Sequence, residues 1–232
     1  MKIEIWSDIA CPWCYVGKRR FEQALSQFEH RDDVEVVWRS FELDPAAPRG
    51  YDESQAELLA KKYGMPVEQA QAMNARMTGE AKKEGLSFDF EKSQPGNTFD
   101  AHRLIHLAAA HGKREAMVER LFAGYLTEGA AIGEKDTLQR LATEVGLDAE
   151  QVREVLDGSA YADAVRADEG RARTFGISGV PFFAIDERYG VSGAQTPEVL
   201  LGALRQAHAE SKLTVVAGDA GGGQCDDGSC AI

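Results

Sequence analysis

The spacing of apolar positions changes twice in the first fifty residues. Ile3 to Trp6 form a largely apolar run, and Val34 to Phe41 alternate apolar and polar until Leu43-Asp44-Pro45 ends them. Both segments read as strands. Between them Val16, Phe21, Ala24, Leu25 and Phe28 recur mostly three to five residues apart, the spacing of one buried helix face. Residues 3 to 43 therefore predict a strand, helix, strand unit with parallel strands and a right-handed crossover.

From Tyr51 the period stays helical. Segments 53–63, 66–84, 98–111, 113–127, 134–145, 149–157 and 161–175 carry it, separated by breakers such as Gly64, Gly85, Pro95-Gly96-Asn97, Gly112, Gly133 and Gly146. No strand candidate of comparable strength lies between Phe41 and Val180. So long a helical block cannot be a loop, so an inserted helical subdomain is expected. The sheet resumes at Val180 to Ile185, turns at Asp186-Glu187-Arg188 and returns over Tyr189 to Gly193, after which Pro197 starts a last helix to about Glu210. Ala217 to Gln224 is Gly-rich and reads as a flexible linker. The expected organisation is a discontinuous α/β domain over 1–50 and 173–211, an all-helical insertion over 51–172, and a tail over 212–232 that carries Cys225 and Cys230.

Charge narrows the partners. Across 232 residues the formal net charge is -12, and nucleic acid and anionic membrane surfaces both select for basic proteins, so neither is an expected partner. The chain starts with a strand and shows no basic-then-apolar leader and no apolar run long enough to cross a bilayer, which predicts a cytoplasmic protein. In a reducing compartment a cysteine pair is catalytic or metal-binding rather than a structural staple.

The chemistry centres on Cys11-Pro12-Trp13-Cys14, directly after the first strand and at the start of the first helix. Pro12 is tolerated in a first turn. Unpaired N–H groups and the positive end of the helix dipole favour a thiolate at such a place, and a thiolate is the species that attacks disulfides. Cys14, one turn on and more enclosed, is placed to attack a mixed disulfide on Cys11. The rival reading is zinc, because Cys225 and Cys230 would complete four ligands; the Pro-Trp pair between strand and helix is unlike a polar zinc knuckle and favours redox. His102 and His106 stand four apart on a predicted helix, yet Arg103 occupies the place of the Glu of a zinc-protease helix and no third ligand is evident, so no metal site is expected.

The element order, with Ser7-Asp8 before the CPWC motif, Asn97-Thr98-Phe99-Asp100-Ala101-His102-Arg103-Leu104, Phe175-Gly176-Ile177-Ser178-Gly179-Val180-Pro181-Phe182-Phe183 and Val191-Ser192-Gly193-Ala194-Gln195, resembles the DsbA family in its cytoplasmic FrnE branch. The resemblance covers residues 1 to about 210. It implies a thioredoxin fold with a helical insertion and a thiol-disulfide oxidoreductase acting on protein or small-molecule disulfides, with isomerisation as a further activity. It also implies a cis Val180-Pro181 bond facing the CxxC. Cys11 and Cys14 are then the catalytic residues, and Pro12, Trp13, Val180, Pro181, Asn97 and His102 are substrate-side candidates. Cys225 and Cys230 lie outside the resemblance; the Gly-rich linker lets them reach the site, and they are expected to form a second redox pair that exchanges with Cys11 and Cys14. No cofactor is expected beyond the redox-active cysteines, with glutathione a candidate electron donor. A glutathione-dependent isomerase or transferase of the kappa-like branch, the 2-hydroxychromene-2-carboxylate isomerases, shares the implied fold, but those relatives typically replace the cysteines that this chain keeps. The Pro-Trp pair, in place of the Pro-His of the periplasmic oxidant, implies a less oxidising couple.

Overall fold

A computed structural model describes residues 1–211; Cys225, Cys230 and the expected tail lie outside the described residues. Strands β1 (Lys2–Ser7), β2 (Glu35–Ser40), β3 (Phe182–Ile185) and β4 (Tyr189–Ser192) form one sheet in the order β2-β1-β3-β4. β1 runs parallel to β2, with Ile3 opposite Val36 and Ile5 opposite Trp38, and antiparallel to β3. Helix α1 (Pro12–Ser26) makes the β1–β2 crossover. This is the thioredoxin arrangement, with the expected helical insertion between β2 and β3.

The insertion begins with the paired helices α2 (Gln55–Tyr63) and α3 (Val67–Lys83). A capping box at Ser54 and Glu57 starts α2, and Gly64 in the left-handed region ends it. Next come α4 (Phe99–Ala110), α5 (Arg114–Ala123) with a π-helical extension over Gly124–Glu128, α6 (Lys135–Glu144) and α7 (Ala149–Asp157). Helix α8 (Ala162–Thr174) leads back to the sheet, and α9 (Pro197–Ser211) closes the described chain.

Period-two alternation divides the sheet's side chains between two cores. Ile3, Ile5, Phe183 and Ile185 join the large core shared with α1, α9 and the insertion. Trp6 and Ala184 face the other way and pack with Ala172 and Ile177. Helix α8 thus covers the second face of the sheet, and the boundary expected at 172 falls inside it. Its polar composition hid this: Asp168 and Glu169 are buried, with Asp168 accepting from Arg39 at 2.8 Å and from the Ser40 N–H at 3.0 Å.

The insertion is locked to α1 by charge as well as by packing. Tyr15 stacks on Phe122 with ring centroids 4.9 Å apart, and the buried Lys18 ammonium meets Glu115 at 2.8 Å, Glu119 at 2.9 Å and also Glu22. Burial works against the Lys18 charge, but the surrounding carboxylates more than compensate and its pKa is raised. Removing one member of a buried charge cluster strands the others. Lys18→Met is therefore expected to cost about 1–3 kcal/mol in urea unfolding, less than a fully buried pair because the carboxylates are partly exposed.

Candidate active site

The turn from β1 into α1 is built by its own backbone. The Cys11 N–H donates to the Asp8 carbonyl at 3.0 Å, and Cys11 is the N-cap residue, with φ -93° and ψ 110° and Pro12 following in the first turn. Asp8 holds this loop to the chain beyond β2: one carboxylate oxygen accepts from Ala10 N–H at 3.2 Å and the other from Leu43 N–H at 2.7 Å. Cys11 is 7% exposed and Cys14 only 1%, and both thiols are free. Trp13, between them, is 43% exposed.

Cys14 is held as a thiol. Burial pushes its pKa well up, and the neighbouring Cys11 sulfur adds to the rise; the Ser7 hydroxyl and the Asp8 N–H, which face its sulfur, act in the opposite sense. An ionised Cys14 is thus costly until it finds an electrophile.

The Val180–Pro181 bond is cis. The Val180 carbonyl lies 3.7 Å from Cys11 Sγ, which donates to it, and the Gly193 N–H donates to the Pro181 carbonyl at 2.8 Å. On the other side of Pro181 stands Gly17 of α1. A Cβ on Gly17 would lie 2.9 Å from Pro181 Cγ, so α1 approaches this loop as closely as it does only because position 17 has no side chain. Gly17 is not among the site residues expected from the sequence, although a glycine inside a helix costs about 1 kcal/mol relative to alanine and so signals a packing reason.

A groove of about 1030 Å³ opens in front of Cys11, Pro12 and Trp13. Its far walls are α2 and α3 with the segment after β2; Leu43, Leu58, Leu59, Tyr63, Met73 and Phe90 make it apolar, while Lys61, Lys62 and Arg76 are balanced by Asp8, Asp44 and Glu80. Leu43 and Tyr63 are exposed, as Trp13 is. Val180 and Pro181 do not line this groove; they adjoin Cys11 from the other side.

The remaining substrate-side candidates sit elsewhere. Asn97 precedes Thr98, the N-cap residue of α4, its side-chain oxygen accepting from Phe99 N–H at 2.9 Å and its amide donating to Glu42 at 3.4 Å. Its neighbours Pro95, Gly96 and Thr98 line the groove, but Asn97 does not. His102 is 2% exposed and absent from the groove wall; its Nε2 lies 3.5 Å from Asp8 Oδ1. Among the described residues no group of three or more His, Cys, Asp or Glu side chains could hold a metal ion. None of the described helices is long and apolar enough to cross a membrane.

Comparison with known proteins agrees with this geometry. The model of the DSBA-like thioredoxin domain matches residues 2–205. The structure of a probable DsbA oxidoreductase from Streptomyces coelicolor, SCO1869, is 48% identical, superimposes with a TM-score of 0.88, and is matched over 100% of this chain and 99% of its own. The uncharacterized protein YwbO of Bacillus subtilis (strain 168) is 33% identical over 187 residues, 80% of this chain and 86% of that one. A 2-hydroxychromene-2-carboxylate isomerase shares the fold alone, at 14% identity and a TM-score of 0.64 over 92% of this chain and 100% of its own. With the family model matched over residues 2–205, the chain belongs to the DSBA-like thioredoxin domain family.

Proposed function

We propose that the protein is a thiol-disulfide oxidoreductase whose substrates are disulfides of peptides or small molecules, with Cys11 as nucleophile and Cys14 as resolving thiol. The observation that carries this reading is the asymmetry of the two sulfurs at one helix end. Cys11 opens on a large groove and touches a backbone carbonyl, whereas Cys14 is sealed beneath it. Cys11 as thiolate attacks one sulfur of the substrate, whose other sulfur leaves as thiolate; Cys14 then attacks Cys11 Sγ and releases the second half. The electron pair of each broken S–S bond departs with the leaving sulfur.

The fold also carries an isomerase, so fold alone does not choose the chemistry. Retention of both cysteines in this geometry favours exchange over glutathione-assisted isomerisation. The groove's apolar wall, with Lys61, Lys62 and Arg76 matched by Asp8, Asp44 and Glu80, suits a disulfide that carries apolar groups and selects for neither sign of charge. Glutathione is the candidate reductant of the Cys11–Cys14 disulfide.

The test is direct. Purified protein, pre-reduced and mixed with glutathione disulfide, is expected to gain first one glutathione adduct and then an internal disulfide, followed by acid quench and mass spectrometry. A protein that stays fully reduced towards both glutathione disulfide and insulin, or one that isomerises 2-hydroxychromene-2-carboxylate at enzymic rates with both cysteines replaced, would overturn this reading.

A further inference from the structure

A second and far smaller cavity, about 10 Å³, adjoins the CxxC; Ser7, Trp38, Ser40 and His102 are among its walls. This is about the room that one water needs. Ser7 and His102 both line it, and Ser7 Oγ and His102 Nε2 are buried with no hydrogen-bond partner in the protein. Folded proteins leave such groups unpaired only where a water or a function accounts for them. The Ser7 hydroxyl faces the Cys14 sulfur on one side and this cavity on the other. On the far wall Ser40 Oγ lies 3.2 Å from His106 Nε2, and that nitrogen lies 3.1 Å from Asp168 Oδ2. His106, 18% exposed, is where this line of polar groups reaches solvent.

We propose that Ser7, one water held in this cavity and His102 form a proton relay for Cys14, with His102 as the internal proton acceptor. The inference rests on the thiol-disulfide reading above and names how its second step is made possible. Cys14 is 1% exposed, so its proton has no direct way into bulk water. In the resolving step the Cys14 sulfur bonds to Cys11 Sγ, the bond from Cys11 to the substrate sulfur breaks, and the electron pair leaves with that sulfur as a thiolate. The Cys14 proton passes to Ser7 Oγ as the Ser7 hydroxyl proton passes to the water, and a water proton passes to His102 Nε2. When a thiolate later reduces the Cys11–Cys14 bond, the same line returns the proton to Cys14.

The charges around His102 suit an acceptor. Asp8 Oδ1 lies 3.5 Å from His102 Nε2 without hydrogen-bond alignment. Both Asp8 oxygens accept backbone N–H groups, so Asp8 is held by the loop and is not the acceptor itself. Asp168, from α8, faces His106 and is also bonded by Arg39, whose guanidinium neutralises it on the sheet side. Arg39, the cation that shares the cavity wall with His102, is engaged by Asp168 and Glu4, which leaves the Asp8 carboxylate beside the His102 ring.

The experiment follows the two half-reactions separately. Reduced protein is mixed with glutathione disulfide, quenched in acid at intervals, and the adduct on Cys11 and the internal disulfide are counted by mass spectrometry over a range of pH. Ser7→Ala and His102→Gln are each expected to slow ring closure relative to adduct formation by roughly tenfold or more, and to move its pH profile upward. The double variant should be no slower than the slower single one, as befits one path. Closure within about twofold of native in both variants, with an unmoved pH profile, would overturn the relay and leave the oxidoreductase reading intact. A native protein that forms no adduct overturns both. Should the variants fail to fold, the ring resonances of His102 in the native protein decide: the relay requires its titration to differ between dithiol and disulfide forms, and identical titration rejects it.

Discussion

Serine at position 11 is expected to lower the rate of disulfide exchange by at least about 10³-fold, since it removes the attacking sulfur itself. Serine at position 14 should have a different effect, leaving the protein covalently joined to its substrate. The difference follows from position. Cys11 caps the helix and faces the groove, while Cys14 is one turn further in and sealed from it. Without Cys14 nothing removes the half-substrate from Cys11 except an external thiol. Non-reducing electrophoresis and intact-mass measurement after incubation with insulin or glutathione disulfide would read the adduct. Accumulation of adduct in Cys11→Ser but not in Cys14→Ser would reverse the assignment.

Gly17→Val is expected to reduce kcat/KM by about 10²-fold, the order of loss that follows from displacing a reacting group by about 1 Å. By helix propensity alone, replacing a mid-helix glycine should help, by up to about 1 kcal/mol for alanine. Here the contact decides the sign. The first added carbon already meets Pro181 Cγ at 2.9 Å and Ala194 Cβ at 3.5 Å, and valine adds two more carbons. Either α1 moves with Cys11 or the Pro181 loop moves with the Val180 carbonyl that Cys11 touches. Gly79 on α3 provides the control, since it is exposed and nothing lies within 4 Å of an added Cβ. Gly79→Ala should stabilise by about 1 kcal/mol and leave exchange unchanged. Equal, undiminished turnover in the two variants would show that the Gly17 contact does not position the site.

The groove and the relay draw on different parts of the insertion. Helices α2 and α3 provide the far wall of the groove, and α4 brings His102 and His106 to the edge of β2 beside Ser7 and Ser40. The insertion so places two kinds of group at one cysteine pair: surface for the substrate in front and polar side chains behind. The charge cluster of Lys18 with Glu115 and Glu119 holds these parts in register with α1.

By itself the sequence determined the elements and the attacking sulfur. Period two in 34–41 and periods of three to five in the helices mark which face of each element is buried, and hence where each begins and ends. The CPWC position between β1 and α1 fixes Cys11 at a helix N-terminus without any tertiary information, because a helix end is a local property. Only the tertiary structure decided which buried faces meet. Helix α8 looked like part of the insertion because its charged residues mask a face that covers Trp6, and the buried Asp168 carboxylate is satisfied by β2, over a hundred residues away in the chain. Asn97-Thr98 was legible as a cap and His102 as buried or near the cleft, but not which of the two cavities His102 would line. Ser7 and Gly17 show the same limit: a hydroxyl or a missing Cβ acquires its role from an atom brought alongside by the fold, and periodicity records burial but not the identity of the neighbour.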